Sequence, residues 1–132
     1  MSKKTTFYME RAAAIIAAVI LLQTLYFKFS GHPDSVYIFT QIGGEPALRI
    51  GSGIVELIIA LLLLLPKTSH YGAFLGLGLM LGAIGQHLFV LGISVNNDGG
   101  ALFALAIATF ICCGIVLFVK RNKFRTLLGK SA

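Results

Sequence analysis

RIGSGIVELIIALLLLLP, residues 49–66, decides how the rest of the chain is read. It carries three polar side chains, Arg49, Ser52 and Glu56, and is otherwise apolar or small until Pro66 closes it. About 20 such residues of helix cross the hydrocarbon core of a bilayer. Charge is costly there, so a glutamate in the middle of the run must be partnered or put to use. Steps of three and four residues place Arg49, Ser52, Gly53, Glu56 and Ala60 on one stripe of the helix, with isoleucine and leucine opposite. That stripe is predicted to face other helices, and the aliphatic side to face lipid.

Three further runs of the same character surround this one. The 132 residues are 57% hydrophobic and only 12% charged, about half the charged share of an ordinary soluble domain. Spans are predicted at residues 8–29, 47–65, 71–93 and 100–119 of a single domain, with a basic tail at 120–132. The expected fold is all-α, a polytopic membrane four-helix bundle with a short interfacial segment between helices 1 and 2. That segment lies in SGHPDSVYIFTQIGGEPA, residues 30–47. Pro33 suits a first helical turn, and Tyr37 and Phe39 suit a helix lying at the bilayer interface. Gly43, Gly44 and Pro46 then reset the chain before the second span.

The net charge of +6 comes from residues that flank the spans. Lys3, Lys4, Lys67, Lys120, Arg121, Lys123, Arg125 and Lys130 fall on one side of the membrane, against Lys28 and Arg49 on the other. Cations mark the cytoplasmic side, so both termini are predicted to be cytoplasmic in a multi-pass membrane protein. The same distribution argues against nucleic acid as a partner and for the lipid bilayer, whose anionic headgroups the tail can attract. The first span has a basic start, but no A-x-A-like cleavage site follows it in FKFSGHPDS, so it reads as a retained helix. Cys112 and Cys113 are neighbours about 100° apart on a helix and read as packing residues. Gly72 with Gly76, Gly78 with Gly82, and the row Ala101, Ala104, Ala108 and Cys112 are predicted packing faces, because small residues let helices approach in lipid.

The remaining polar residues gather in the outer half of the bundle. Arg49 and Glu56 are about 10 Å apart along their helix, so the partner of Glu56 is expected to be a water or a residue of another helix. Lys28 closes the first span, and His87 lies about 9 Å below the outer end of the third, on the face of Gly76, Met80 and Ala83. The candidate site is therefore Lys28, Arg49, Glu56 and His87, with Tyr26, Ser52 and Gln86 as secondary members and Gln23 and Thr24 as further donors. Three uses stay open: a self-satisfying structural network, a pocket for a ligand or quinone headgroup, and a proton path. One histidine and one glutamate do not make a metal coordination sphere. Glu10 and Arg11, at the opposite end of the first span, read as boundary residues reaching the interface.

LYFKFSG at 25–31, RIGSGIVELIIALLLLLP at 49–66 and GLMLGAIGQHL at 78–88 together resemble the DoxX-like family of small bacterial membrane proteins, over roughly residues 8–121. The resemblance implies a four-helix membrane domain of the bacterial inner membrane with Lys28, Arg49, Glu56 and His87 at the family's polar positions. One branch is named for a subunit of a thiosulfate:quinone oxidoreductase, and other members are linked to membrane oxidoreductase assemblies. By that resemblance the chain is expected to be an accessory or anchoring subunit of such an assembly, or a quinone- or lipophile-binding module. The sequence itself carries no CxxC pair, haem-attachment motif or flavin fingerprint, so a free-standing redox enzyme is not expected and any cofactor is supplied by a partner. The competing expectations are a small proton-coupled exporter working as a homo-oligomer through Glu56, and a lipid-modifying enzyme in which Glu56 and His87 act as acid and base. The exporter is disfavoured by the one-sided charge bias and by Lys28 and Arg49, which repel a cationic substrate.

Overall fold

The computed structural model describes residues 2–94 and 98–122. It contains α1 (Lys3–Phe29), α2 (Pro33–Ile42), α3 (Ala47–Leu64), α4 (Ser69–Gln86) running on into a π-helical segment (His87–Leu91), and α5 (Ala101–Val119). Four of these are long and apolar enough to cross a membrane. α1 begins five residues before the expected span because Ser2 caps it, its hydroxyl accepting from Thr5 N at 3.1 Å. α2 occupies the expected interfacial segment, with Pro33 in its first turn and left-handed Gly43 at its end. α4 starts at Ser69 rather than residue 71, and its π-helical extension stops at Gly92, whose φ of 82° a residue with a side chain rarely adopts. Part of the loop expected at 96–100, and the tail beyond Asn122, lie outside the described residues.

The spans form a ring in which α1 packs on α3, α3 on α4, α4 on α5 and α5 on α1. α2 lies across one end, touching α1, α3 and the π-helical segment. The chain ends α1 and α5 at opposite ends of their paths, so the bundle has an α2 end and a termini end. The core is built mainly from small residues on α1, Ala13, Ala14, Ala17 and Ala18, against Ile59, Ala60 and Leu63 of α3, Ala73 of α4 and Cys113 and Val116 of α5. Alanine on the inner face lets the helix axes come close, which is how packing holds helices together where lipid removes the hydrophobic drive.

Gly72 is a contact glycine of this kind: a β-carbon there would lie 2.9 Å from Leu63 N and 3.0 Å from Ile59 O. One turn on, a β-carbon at Gly76 would lie 2.7 Å from Cys113 Sγ. Gly78 and Gly82 face open space, so the second predicted glycine pair is not a packing pair. α5 also differs from expectation. It buries Ala106, Thr109, Cys113 and Val116, whereas Ala101 and Ala104 are exposed. Small side chains permit close approach without requiring it, and the larger residues of the neighbouring stripe fill the core better. Outward positions such as Ile16, Leu61, Phe74, Leu81, Ile111 and Phe118 are about half exposed. A belt of that size is an aggregation surface in water and an ordinary lipid-facing surface in a bilayer. The chain is a multi-pass α-helical membrane protein.

Candidate functional site: a cavity beneath the interfacial helix

Toward the α2 end the bundle ceases to be packed. A cavity of about 850 Å³ separates the pair α1 and α3 from the pair α4 and α5 and is roofed by α2. Its wall is mostly apolar, with Leu21, Phe27, Ile38, Phe39, Val55, Leu79, Met80, Leu102 and Leu105 contributing. That size and lining match a site for a drug-sized or lipid-sized molecule.

Two helices supply the polar patch. The Glu56 carboxylate, 2% exposed, is ion-paired to the Lys28 ammonium of α1 and accepts from the Thr24 hydroxyl one turn earlier at 2.7 Å. The partners of Glu56 thus come from another helix, one of the two outcomes that the separation of about 10 Å from Arg49 left open. Thr24 and Lys28 are four residues apart and share a face, so one carboxylate meets both. Lys28 Nζ also lies 5.9 Å from the centre of the Phe39 ring, which ties α2 to the pair. Opposite charges in mutual contact reduce the cost that either would incur alone in a low dielectric.

Arg49 joins the patch from behind. Its Nε donates to both carboxylate oxygens of Glu45 at 2.9 and 3.0 Å, and Nη1 donates to the Lys28 carbonyl, one of the orphan acceptors at the end of α1. Arg49 does not line the cavity and holds α1 to the start of α3. Rather than snorkelling into the interface, it turns back on Glu45 and Lys28. Glu45 was legible as the acidic residue four before Arg49, a spacing that favours an ion pair.

His87, Gln86 and Ser52 line the cavity, whereas Tyr26 does not: it stands on the outside of α1, 68% exposed and edge-on to Phe27. Seven residues from Glu56 to Arg49 and the step from Lys28 to Tyr26 look equivalent in a list of polar positions, but Tyr26 is about 200° from Lys28 around α1. The His87 ring meets Phe103 edge-on, and its Nδ1 donates to Gly92 O at 3.0 Å. A carbonyl only accepts, so this bond places the proton on Nδ1. The wide π turn brings that carbonyl, five residues on, back to the ring. Ser52 donates to Arg49 O at 3.2 Å within its own helix.

Among the described residues, the other charged side chains on the wall are Asp34 and Asp98. The Asp34 carboxylate lies 3.9 Å from His32 Nδ1, and the Asp98 carboxylate accepts from Gly100 N at 2.8 Å and Leu102 N at 3.2 Å, capping α5. Each charge on the wall therefore has a protein partner. Beyond those charges the cavity offers a guest apolar area and the polar groups of Thr24, Ser52, Gln86 and His87.

A second polar cluster holds the termini end shut. Glu10 is 1% exposed and takes two bonds from Arg11, at 2.6 and 2.7 Å, and one from the Ser69 hydroxyl at 2.6 Å. Lys120 lies 3.5 Å from the same carboxylate, donates to Ser69 Oγ at 2.6 Å and also donates to Pro66 O. Arg11 further caps α3 through Leu64 O at 3.0 Å and Leu63 O at 3.2 Å. Glu10 and Arg11 are thus interior ties between α1, α3, α4 and α5 and not boundary residues, and Lys120 is a tie as well as a flanking cation. Only the spatial meeting of four helix ends reveals this, since Ser69 and Lys120 are 59 and 110 residues from Glu10 in the chain and lie just outside the expected spans.

The fold and the cavity define a class, an integral membrane bundle with an internal site. Comparison of the chain with protein-family models, with curated proteins and with solved structures returns no match.

Proposed function

We propose that this protein binds a membrane-borne lipophile beneath α2, as a binding module or an accessory subunit rather than a free-standing enzyme. The observation that carries this reading is the 850 Å³ cavity, apolar in most of its wall and polar at one patch formed by Lys28, Glu56 and Thr24. A packed bundle retained only for its fold would close such a space, as the termini end does. The Lys28–Glu56 pair orients a guest through its fixed dipole and the neighbouring Thr24, Gln86 and His87, while the apolar wall supplies affinity. The DoxX-like resemblance extends the proposal: a quinone is a guest of the right chemistry, and a membrane oxidoreductase is the partner that would supply redox cofactors.

The pairing of Glu56 with Lys28 weighs against the exporter alternative. A carboxylate already neutralised by an adjacent ammonium has little attraction left for a cationic substrate. Native mass spectrometry of the protein extracted in mild detergent tests the binding reading. One bound lipophile per chain, lost from an Ala106→Phe variant that fills the cavity, is the expected result. Retention of the same bound molecule by that variant would sink it.

A further inference from the structure

The cavity is closed at the termini end and covered by α2 across α1, α3 and the π-helical segment, and exposed residues line it on two flanks. Between α3 and α4 the helices touch through Gly72 and Gly76, then part. Toward the α2 end, Leu48 and Val55 on α3 are 54% and 44% exposed, Gly82 on α4 faces open space, and all three also line the cavity. Their neighbours on this flank, Gly51 and Leu79, are apolar too. On the opposite flank the exposed lining residues are Gln23 of α1, which carries an amide, and Ala101 of α5. The exposed lining residues on the α3–α4 flank, Leu48, Val55 and Gly82, are thus apolar side chains and a glycine, whereas those on the α1–α5 flank include an amide.

Its depth follows from helix rise. Val55 is eight residues below the start of α3, about 12 Å, and Gly82 is nine residues below Leu91, about 14 Å. Half the hydrocarbon thickness of a bilayer is about 15 Å. The mouth thus runs from Leu48, one residue into α3, down to a deep edge at Val55 and Gly82 near the bilayer midplane, where a phosphate or ammonium head would have to be carried through hydrocarbon at high cost. The wall beyond it has no unpartnered charge among the described residues to repay that cost.

We propose that the cavity is loaded sideways from the bilayer between α3 and α4, with Gly82 and Val55 as its threshold, and that its ligand class is a lipophile with an uncharged polar head. This rests on the reading of the cavity as a lipophile site and adds the route and the charge of the guest.

The chain has no tryptophan, so one placed in the cavity is a clean reporter. A Met80→Trp variant, and a Phe27→Trp variant as a second reporter on the opposite wall, are reconstituted in vesicles of phosphatidylcholine brominated near the chain ends. The expected result is at least twofold quenching by the brominated lipid, little quenching by aqueous iodide, and at least a halving of the lipid effect when Gly82→Leu and Val55→Phe are added. Hexadecanol is expected to restore emission by displacing lipid chains, and hexadecyl phosphate and hexadecyltrimethylammonium are not. Quenching by iodide equal to that by lipid, or lipid quenching indifferent to the threshold substitutions, overturns the sideways route even if hexadecanol binds. Equal relief by hexadecyl phosphate overturns the uncharged class. Threshold-sensitive lipid quenching that no amphiphile relieves upholds the route and instead removes the binding reading on which it rests.

Discussion

The two ends of this bundle are built from nearly the same parts and do opposite things. At the termini end a buried glutamate, Glu10, meets an arginine, a lysine and a hydroxyl, and at the α2 end Glu56 meets a lysine and a hydroxyl with Arg49 one contact away. At the first end the surrounding residues are alanines and contact glycines; groups from α1, α4 and the end of α5 meet at one carboxylate, and Arg11 ties it to the last carbonyls of α3. At the second the polar groups come from α1 and α3 alone, so nothing draws α4 and α5 against them, and the space between the pairs remains. In this bundle the cluster that ties all four spans sits at the closed end. The cluster that two helices satisfy sits where the other two are left to bound a cavity.

The largest effect expected from this comparison is at Glu10. Glu10→Gln leaves Arg11 and Lys120 without their shared counter-charge and should cost about 3–5 kcal/mol in unfolding measured by steric trapping or detergent titration. Glu56→Gln should cost about 1–3 kcal/mol, since Lys28 keeps Phe39 and an adjoining cavity that can admit water. Equal losses at the two sites would break the distinction. The double variant Lys28→Met with Glu56→Met should recover most of what either single change loses, because it removes both charges rather than stranding one.

Glycine substitutions sharpen the contrast at smaller scale. Gly72→Ala drives a methyl into the α3 backbone and should destabilise by about 1–3 kcal/mol. Gly82→Ala meets nothing and should be neutral or stabilising by up to about 1 kcal/mol, because alanine is the better helix former. Both are read by the same unfolding assay, and a penalty at Gly82 equal to that at Gly72 would mean the α3–α4 flank is packed along its whole length. Smallest of all, Glu45→Ala should cost about 0.5 kcal/mol, the usual worth of a pair at this spacing. Its effect is checked by the same titration, and a loss several times larger would make the Arg49 tie at the α2 end a structural keystone.

How much of this was legible beforehand varies with the range of the interaction. The inward stripe Arg49, Ser52, Gly53, Glu56 and Ala60 follows from helical spacing inside one segment, and α3 buries Gly53, Glu56 and Ala60 as that spacing requires. The interfacial helix follows from Pro33 and Gly43, whose backbone preferences act locally. Lys28 beside Glu56 could be anticipated only as a matter of depth. Tyr26, about 200° from Lys28, could have been set aside on spacing alone, but the interior position of Glu10 and the choice of the Ala106–Thr109–Cys113 face over the alanine row of α5 could not be anticipated in the same way. Both depend on which neighbour stands beside a helix, and one helix's periodicity is silent on that.

By itself, then, the sequence determined a four-span helical membrane protein with an amphipathic helix at one end, because length, hydropathy and local backbone chemistry are properties of single segments. The tertiary structure alone decided that α3 and α4 touch through Gly72 and part before Gly82, and that Lys28 and Thr24 rather than Arg49 satisfy Glu56. Those outcomes turn on distances between helices far apart in the chain, where an ångström or two of separation is the difference between a packed interface and a cavity.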